Sequence, residues 1–475
     1  MRIMLIPRAF FLLVCSWLAT AAVAACPPGA VETRHEAALR DGTLPYVACA
    51  GTIAVDNERG AQGRIFYTAY LASSDAEPRP VAFVWNGGPG ADSRLLHFAA
   101  LGPVRIRDGA MQPNADSPLA VSDLVFVDPV GTGFSRAESE AEAAGFYSTT
   151  ADIAATTEFV QAWLKASGRA DAPVFLIGES FGTWRAAGVA EALVDQGQPV
   201  AGIALISGGI PLGDLPDRHL MRALSLTNRA ATAIAHGKLA PELQHDPKGT
   251  LQEAETFARA VYAPALDDPA ALSPAELAAV RERIARFQGL SVDVVDPETL
   301  WVSPRTFRTE LLAESGRTLD VFDMRSTGGA DSTPSGPAVL RYYRDRLRYT
   351  EGRYAGIEVE ALPVGARWQY DQAPITPESL ARAMAGEGPP SPSQPWTLRA
   401  MKKAPDMRVF VAAGLYDSLN SCAANEATVA ALPGPIAGRF ALHCYPGGHM
   451  MYDDSAVAVA FGRDIGAFLA GEQRE

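Results

Sequence analysis

The sequence predicts an α/β protein: a mostly parallel central sheet with helices on both faces, interrupted by one large, mainly helical insertion. Two observations carry this expectation. Apolar runs without polar alternation recur at 65–71, 81–85, 124–127, 174–177, 203–206 and 409–413. Runs of this length suit strands buried on both faces. Helical stretches lie between them, apolar at Ile153, Phe159, Val160 and Leu164 in one and Ala-rich over 183–193 in the next. Strand, helix and strand in repetition imply a parallel sheet. The second observation is that this rhythm stops after residue 211 and resumes near Arg408. In between stand helical patterns such as 274–287 and Pro/Gly-rich punctuation such as 326–337 and 386–395.

Taken in order, the chain opens with Arg2 and Arg8, an apolar run over 9–19 and small residues over 20–25, including Ala22-Val23-Ala24. Basic, apolar and small in that order is the pattern of a cleaved secretory leader; an anchor that stays attached is the alternative. The expected organisation is a leader at 1–25, a first core part at 26–211, the insertion at 212–400 and a second core part at 401–475. Of the five cysteines, Cys15 leaves with the leader. Four remain in an exported chain, so two disulfides are plausible, and proximity suggests Cys26–Cys49 and Cys422–Cys444 among three possible pairings. Val23-Ala24-Ala25-Cys26 also reads as a bacterial lipobox, which would lipidate Cys26, anchor the chain and leave Cys49 without its partner. There is no Asn-x-Ser/Thr sequon.

Composition narrows the function classes. At 48% apolar and 20% charged residues over 475 positions, the chain is neither disordered, collagenous nor a coiled coil. A net charge of −13 with no Lys/Arg run argues against nucleic acid and against an anionic membrane surface. No apolar run after the leader is long enough to span a bilayer. No His/Cys metal cluster and no dinucleotide fingerprint appears, so neither a metal nor another cofactor is expected.

Gly178-Glu179-Ser180-Phe181-Gly182 fits G-x-S-x-G, after an expected strand and before an expected helix. That context is the nucleophile elbow, with a tight turn that leaves the serine Oγ exposed at the sheet edge. A serine nucleophile needs a base oriented by a carboxylate, in chain order Ser, Asp/Glu, His. His449 lies in the glycine loop Pro446-Gly447-Gly448-His449-Met450, whereas His443 belongs to or ends the preceding strand and suits a structural role. Asp417 follows the strand 409–413 and would reach the same cleft; a plain turn aspartate is the alternative. Asn86-Gly87-Gly88-Pro89-Gly90 has the glycine content for close backbone approach to a ligand.

Together these motifs resemble the serine carboxypeptidases of the S10 type, on the α/β-hydrolase fold. The resemblance rests on 51–56 with 65–67, Asn86–Gly90, Leu101-Gly102-Pro103, the 127–135 signature Val-Asp-Pro-Val-Gly-Thr-Gly-Phe-Ser, Gly178–Gly182, Asp417 with Asn420, and Gly448-His449-Met450. It implies Ser180 as nucleophile, His449 as base and Asp417 as its orienter. It implies an oxyanion hole from the backbone N–H groups of Gly88 and Phe181. It also implies that Asn86, Gly87 and Glu179 hold the terminal carboxylate of a peptide substrate. Three positions depart from the family pattern: Val84 with the tryptophan shifted to Trp85, Ala91-Asp92-Ser93 after the glycine loop, and Ala100 where a second glutamate is common. The expected activity is an exported, periplasmic or secreted, serine-type carboxypeptidase working through an acyl-enzyme. The alternatives are an esterase, an acyltransferase, a proline-releasing aminopeptidase, or a binding protein that keeps the fold without turnover.

Overall fold

The computed structural model describes residues 26–56, 60–72, 79–213, 218–328, 333–384 and 389–472. The expected leader lies outside the described residues. The strands are β1 (Val31–Leu39), β2 (Gly42–Asp56), β3 (Gln62–Ala72), β4 (Val81–Trp85), β5 (Val104–Arg107), β6 (Ala110–Pro113), β7 (Asp123–Asp128), β8 (Arg136–Ala137), β9 (Val174–Glu179), β10 (Val200–Ile206), β11 (Arg408–Gly414) and β12 (Phe440–Tyr445). The main sheet runs β1-β2-β3-β7-β4-β9-β10-β11-β12, with β8 on β3. Pairing is antiparallel from β1 to β7 and parallel from β7 to β12. β5 and β6 form a separate antiparallel hairpin.

The parallel strands carry the unalternating apolar runs because helices cover them on both sides. Every residue of β4, β7 and β9 is buried. One face packs on the helices Thr149–Ala166, Gly182–Asp195 and Trp396–Lys403 through Phe159, Trp163, Ala187 and Met401. The other packs on Ser455–Ala470 through Phe461 and Ile465. Ser148 caps the first of these helices by accepting from the Ala151 N–H, and its extended φ of −143° marks where helix begins. In β1, by contrast, exposed residues alternate with more covered ones, as expected of an edge strand with one wet face.

The stretch between β10 and β11 contains two kinds of structure. Its first part, with the helices Arg218–Ala235, Pro247–Phe257 and Pro274–Gln288, has a core of its own around Leu224, Ala230, Phe257, Ile284 and Phe287. The helix Pro274–Gln288 starts on a Ser273/Glu276 capping box and stops at Gly289, whose φ of 64° suits a residue without a Cβ. Its later part rejoins the sheet: Ala338, Val339, Tyr342, Tyr343 and Tyr354 pack on the Ser455–Ala470 side, and Val364 and Trp396 on the other. Disulfides join Cys26 to Cys49 on β2 and Cys422 to Cys444 on β12. With its Sγ in a disulfide, Cys26 has no free sulfur for a lipid.

Candidate active site

Ser180 stands between β9 and the helix Gly182–Asp195 with φ of 57°, a left-handed conformation that costs a non-glycine residue about 1–3 kcal/mol. Its N–H donates to Ile206 O at 2.8 Å, which hooks the turn to the end of β10. The flanking glycines are required: a Cβ on Gly178 would lie 2.0 Å from Gly182 O. Trp85, shifted by one position from the family pattern, donates from Nε1 to Gly182 O at 3.0 Å and so holds the helix start.

Asp417 follows β11, fully buried, with every carboxylate bond accounted for by a nearby donor. Oδ1 accepts from the Leu419 N–H at 2.8 Å, and Oδ2 accepts from Asn420 Nδ2 and from His449 Nδ1, both at 2.8 Å. A carboxylate on Nδ1 places the ring proton there and leaves Nε2 as the lone-pair nitrogen. Nε2 is buried and has no hydrogen-bond partner. Burial pulls the His449 pKa down, but Asp417, by charge and hydrogen bond, and the charge of Glu179 raise it above its ordinary value on balance. Ser207, next to Ile206, ties this arm to the elbow: its Oγ donates to His449 O at 2.5 Å, and its carbonyl accepts from Asn420 Nδ2 at 2.9 Å. Asn228, from the insertion, donates to Asp417 O and Asn420 O; its sequence neighbourhood carries no motif that would have singled it out. His443 lies on β12, stacked on Phe410 at 4.5 Å, away from this group.

The Asn86–Gly90 loop lies against the elbow. A Cβ on Gly87 would come 2.5 Å from Phe181 N and 2.6 Å from Glu179 O, so only glycine lets the loop reach the elbow backbone. Gly88 has φ of 99°. Asn86 is held at three atoms: Oδ1 accepts from the Leu96 N–H, its carbonyl accepts from Arg185, and Nδ2 donates to Glu179 Oε1 at 2.8 Å. Arg185 in turn pairs with buried Asp152 at 2.6 Å. Beyond the loop, Ser93 donates through N and Oγ to Asp128 Oδ1, which joins Ala91-Asp92-Ser93 to the 127–135 signature.

Glu179 is 2% exposed. Its Oε2 accepts from Tyr452 Oη at 2.5 Å, a partner that sequence reasoning missed. Tyr452 stands three residues after His449, and that proximity was the available signal. Burial pushes the Glu179 carboxyl up to about 7; the His449 charge and the hydrogen bonds from Tyr452 and Asn86 oppose this, and Asp453 adds to it. The structure thus brings Asn86, Gly87, Gly88, Glu179, Ser180, Phe181, Asp417 and His449 into one connected group. Among the described residues no cluster of three or more His, Cys, Asp or Glu is arranged to hold a metal ion.

The fold is the α/β-hydrolase fold, with Ser180 on the turn between β9 and its helix. KEX1, a prohormone-processing carboxypeptidase from Saccharomyces cerevisiae, has the same fold: the structures align with a TM-score of 0.53 and 16% identity over 89% of this chain and 91% of that one. Residues 41–209, the segment that holds the Asn86 loop and Ser180, match the family model of the serine carboxypeptidases. Carboxypeptidase sxa2 of Schizosaccharomyces pombe is 30% identical over 164 residues, 33% of this chain and 30% of that protein. A pheromone-processing carboxypeptidase kex1 of Pyrenophora tritici-repentis is 30% identical over 152 residues, 31% of this chain and 23% of its own length. The matched stretches thus span less than a third of these relatives.

Proposed function

We propose that the protein is an exported serine-type carboxypeptidase. Ser180 attacks the last peptide carbonyl, and His449 Nε2 takes the hydroxyl proton. Asp417 keeps the ring in the tautomer with Nδ1–H and stabilises the imidazolium that forms. The backbone N–H groups of Gly88 and Phe181 receive the oxyanion. His449 then protonates the leaving amino group, and water hydrolyses the acyl-enzyme by the same path in reverse. Glu179, with Asn86 and Gly87, receives the substrate's terminal carboxylate. The observation that carries this reading is the Asp417–His449 pair at 2.8 Å with Nε2 unpartnered, bound through Ser207 and Ile206 to the turn that holds Ser180. Export is supported by the leader-like start and the two disulfides.

A fluorophosphonate probe tests the nucleophile. It should label Ser180 alone, and Ser180→Ala and His449→Ala should each remove about 10⁶-fold of kcat, with the double variant no worse. Undiminished turnover by purified Ser180→Ala would overturn the reading.

A further inference from the structure

Two carboxylates in contact need a shared proton, since an ionised carboxylate only accepts. The family resembled here commonly supplies a second glutamate near the first. This chain has Ala100 at that position, fully buried in the π-helical turn Leu96–Leu101 with no polar side-chain atom to offer. The structure fills the need from another element. Tyr452, fully buried in the turn Met451–Asp453 after the His449 loop, places Oη 2.5 Å from Glu179 Oε2. Asn86 Nδ2 already holds Oε1 at 2.8 Å, so a proton on Glu179 belongs on Oε2, the oxygen that Tyr452 contacts.

We propose that Tyr452 is a positioning residue for Glu179: its phenol donates to Oε2, and the protonated Oε2 donates onward to the terminal carboxylate of a peptide. This rests on the carboxypeptidase reading above. The chain of two O–H donors polarises in one direction, which strengthens each bond. An oxygen bearing a proton can still accept one bond, so Tyr452 stays in place in both protonation states. When Glu179 is ionised, the same phenol stabilises the anion. Tyr452 therefore holds the Glu179 pKa below the value that burial alone would impose. The other groups facing Glu179 are His449, whose charge also lowers it, Asn86, whose donor lowers it, and Asp453, whose charge raises it. Arg185 is held behind Asn86 by Asp152.

The test compares kcat/KM against pH for N-blocked peptides with free and with amidated C-termini. Tyr452→Phe removes the donor to the anion, so the alkaline fall for the free acid should move up by on the order of one pH unit. Replacing residue 452 by 3-fluorotyrosine, nearly isosteric and a stronger donor, should move it down. In both proteins the fluorophosphonate labelling rate of Ser180 reports an intact fold; if Tyr452→Phe does not fold, the fluorinated protein alone decides. Free-acid and amide profiles that differ in the wild type, with no shift in either altered protein, would overturn the role of Tyr452 while leaving the carboxypeptidase reading intact. Identical profiles for the two substrates in the wild type would overturn both.

Discussion

In the proposed mechanism, two titrating side chains set the chemistry at the residue scale. His449 must be neutral to take a proton, and its pKa lies above the usual histidine value. Glu179 must be protonated to meet a carboxylate, and its pKa is pushed up to about 7. The productive form therefore has the proton on Glu179 and none on His449, and it shares its proton count with a form in which the two are exchanged. The two groups titrate as a pair, and the pH profile reports apparent values of that pair. For free-acid peptides kcat/KM should rise as His449 loses its proton and fall as Glu179 loses its own, a narrow bell. Glu179→Gln keeps an N–H donor and cannot ionise, so its profile should lose the alkaline fall and keep the acidic rise. An unchanged alkaline fall would contradict the role of Glu179. Gly87→Ala probes the other contact. Its new methyl would meet Phe181 N, the proposed oxyanion donor, at 2.5 Å. We expect a loss of kcat of about 10²-fold or more, measured on the same peptides; a kcat within a factor of a few of wild type would contradict that placement.

At the scale of elements, the site stands on the ends of strands. β9 delivers Ser180, β4 delivers the Asn86 loop, β11 delivers Asp417 and β12 leads into His449. Cys422–Cys444 closes a separation of 22 residues and ties the helix after Asp417 to the strand before His449. Cys422→Ser with Cys444→Ser should lower stability by about 3 kcal/mol, read from the urea midpoint, and should raise the proteolytic sensitivity of these loops. Equal midpoints in the two proteins would contradict a stabilising role. The buried parallel strands were legible because nothing on them faces water: the expected 81–85 is β4 itself, and 124–127, 174–177, 203–206 and 409–413 fall inside β7, β9, β10 and β11. β1 was not legible, because Val31–Leu39 mixes Glu32, Arg34 and Glu36 with Ala37 and reads as polar chain until β2 pairs with it. Tyr452 was missed for a related reason. Its closeness to His449 points to the site, but its partner Glu179 is 273 residues away, and the fold brings the two together.

On the scale of the whole molecule, the motifs were legible because each pairs a strand end with glycines that close approach demands. The stretch from 212 to 400 was not, because its role depends on what it packs against. Ala338, Tyr342 and Tyr354 serve the sheet, while Leu224 and Phe287 serve a layer of their own. Asn228 connects that layer to Asp417, so the insertion takes part in holding the acid loop. No helix among the described residues is long and apolar enough to cross a membrane. The proposed function is removal of residues from the carboxyl end of peptides. Its most direct test is digestion of N-terminally blocked peptides by the purified protein, followed in time by mass spectrometry. The expected result is a ladder of products shortened one residue at a time from the C-terminus, absent with Ser180→Ala and suppressed when the C-terminus is amidated at the acidic side of the pH range. Products shortened from the N-terminus of unblocked peptides, internal cleavage, or turnover confined to simple esters would contradict it.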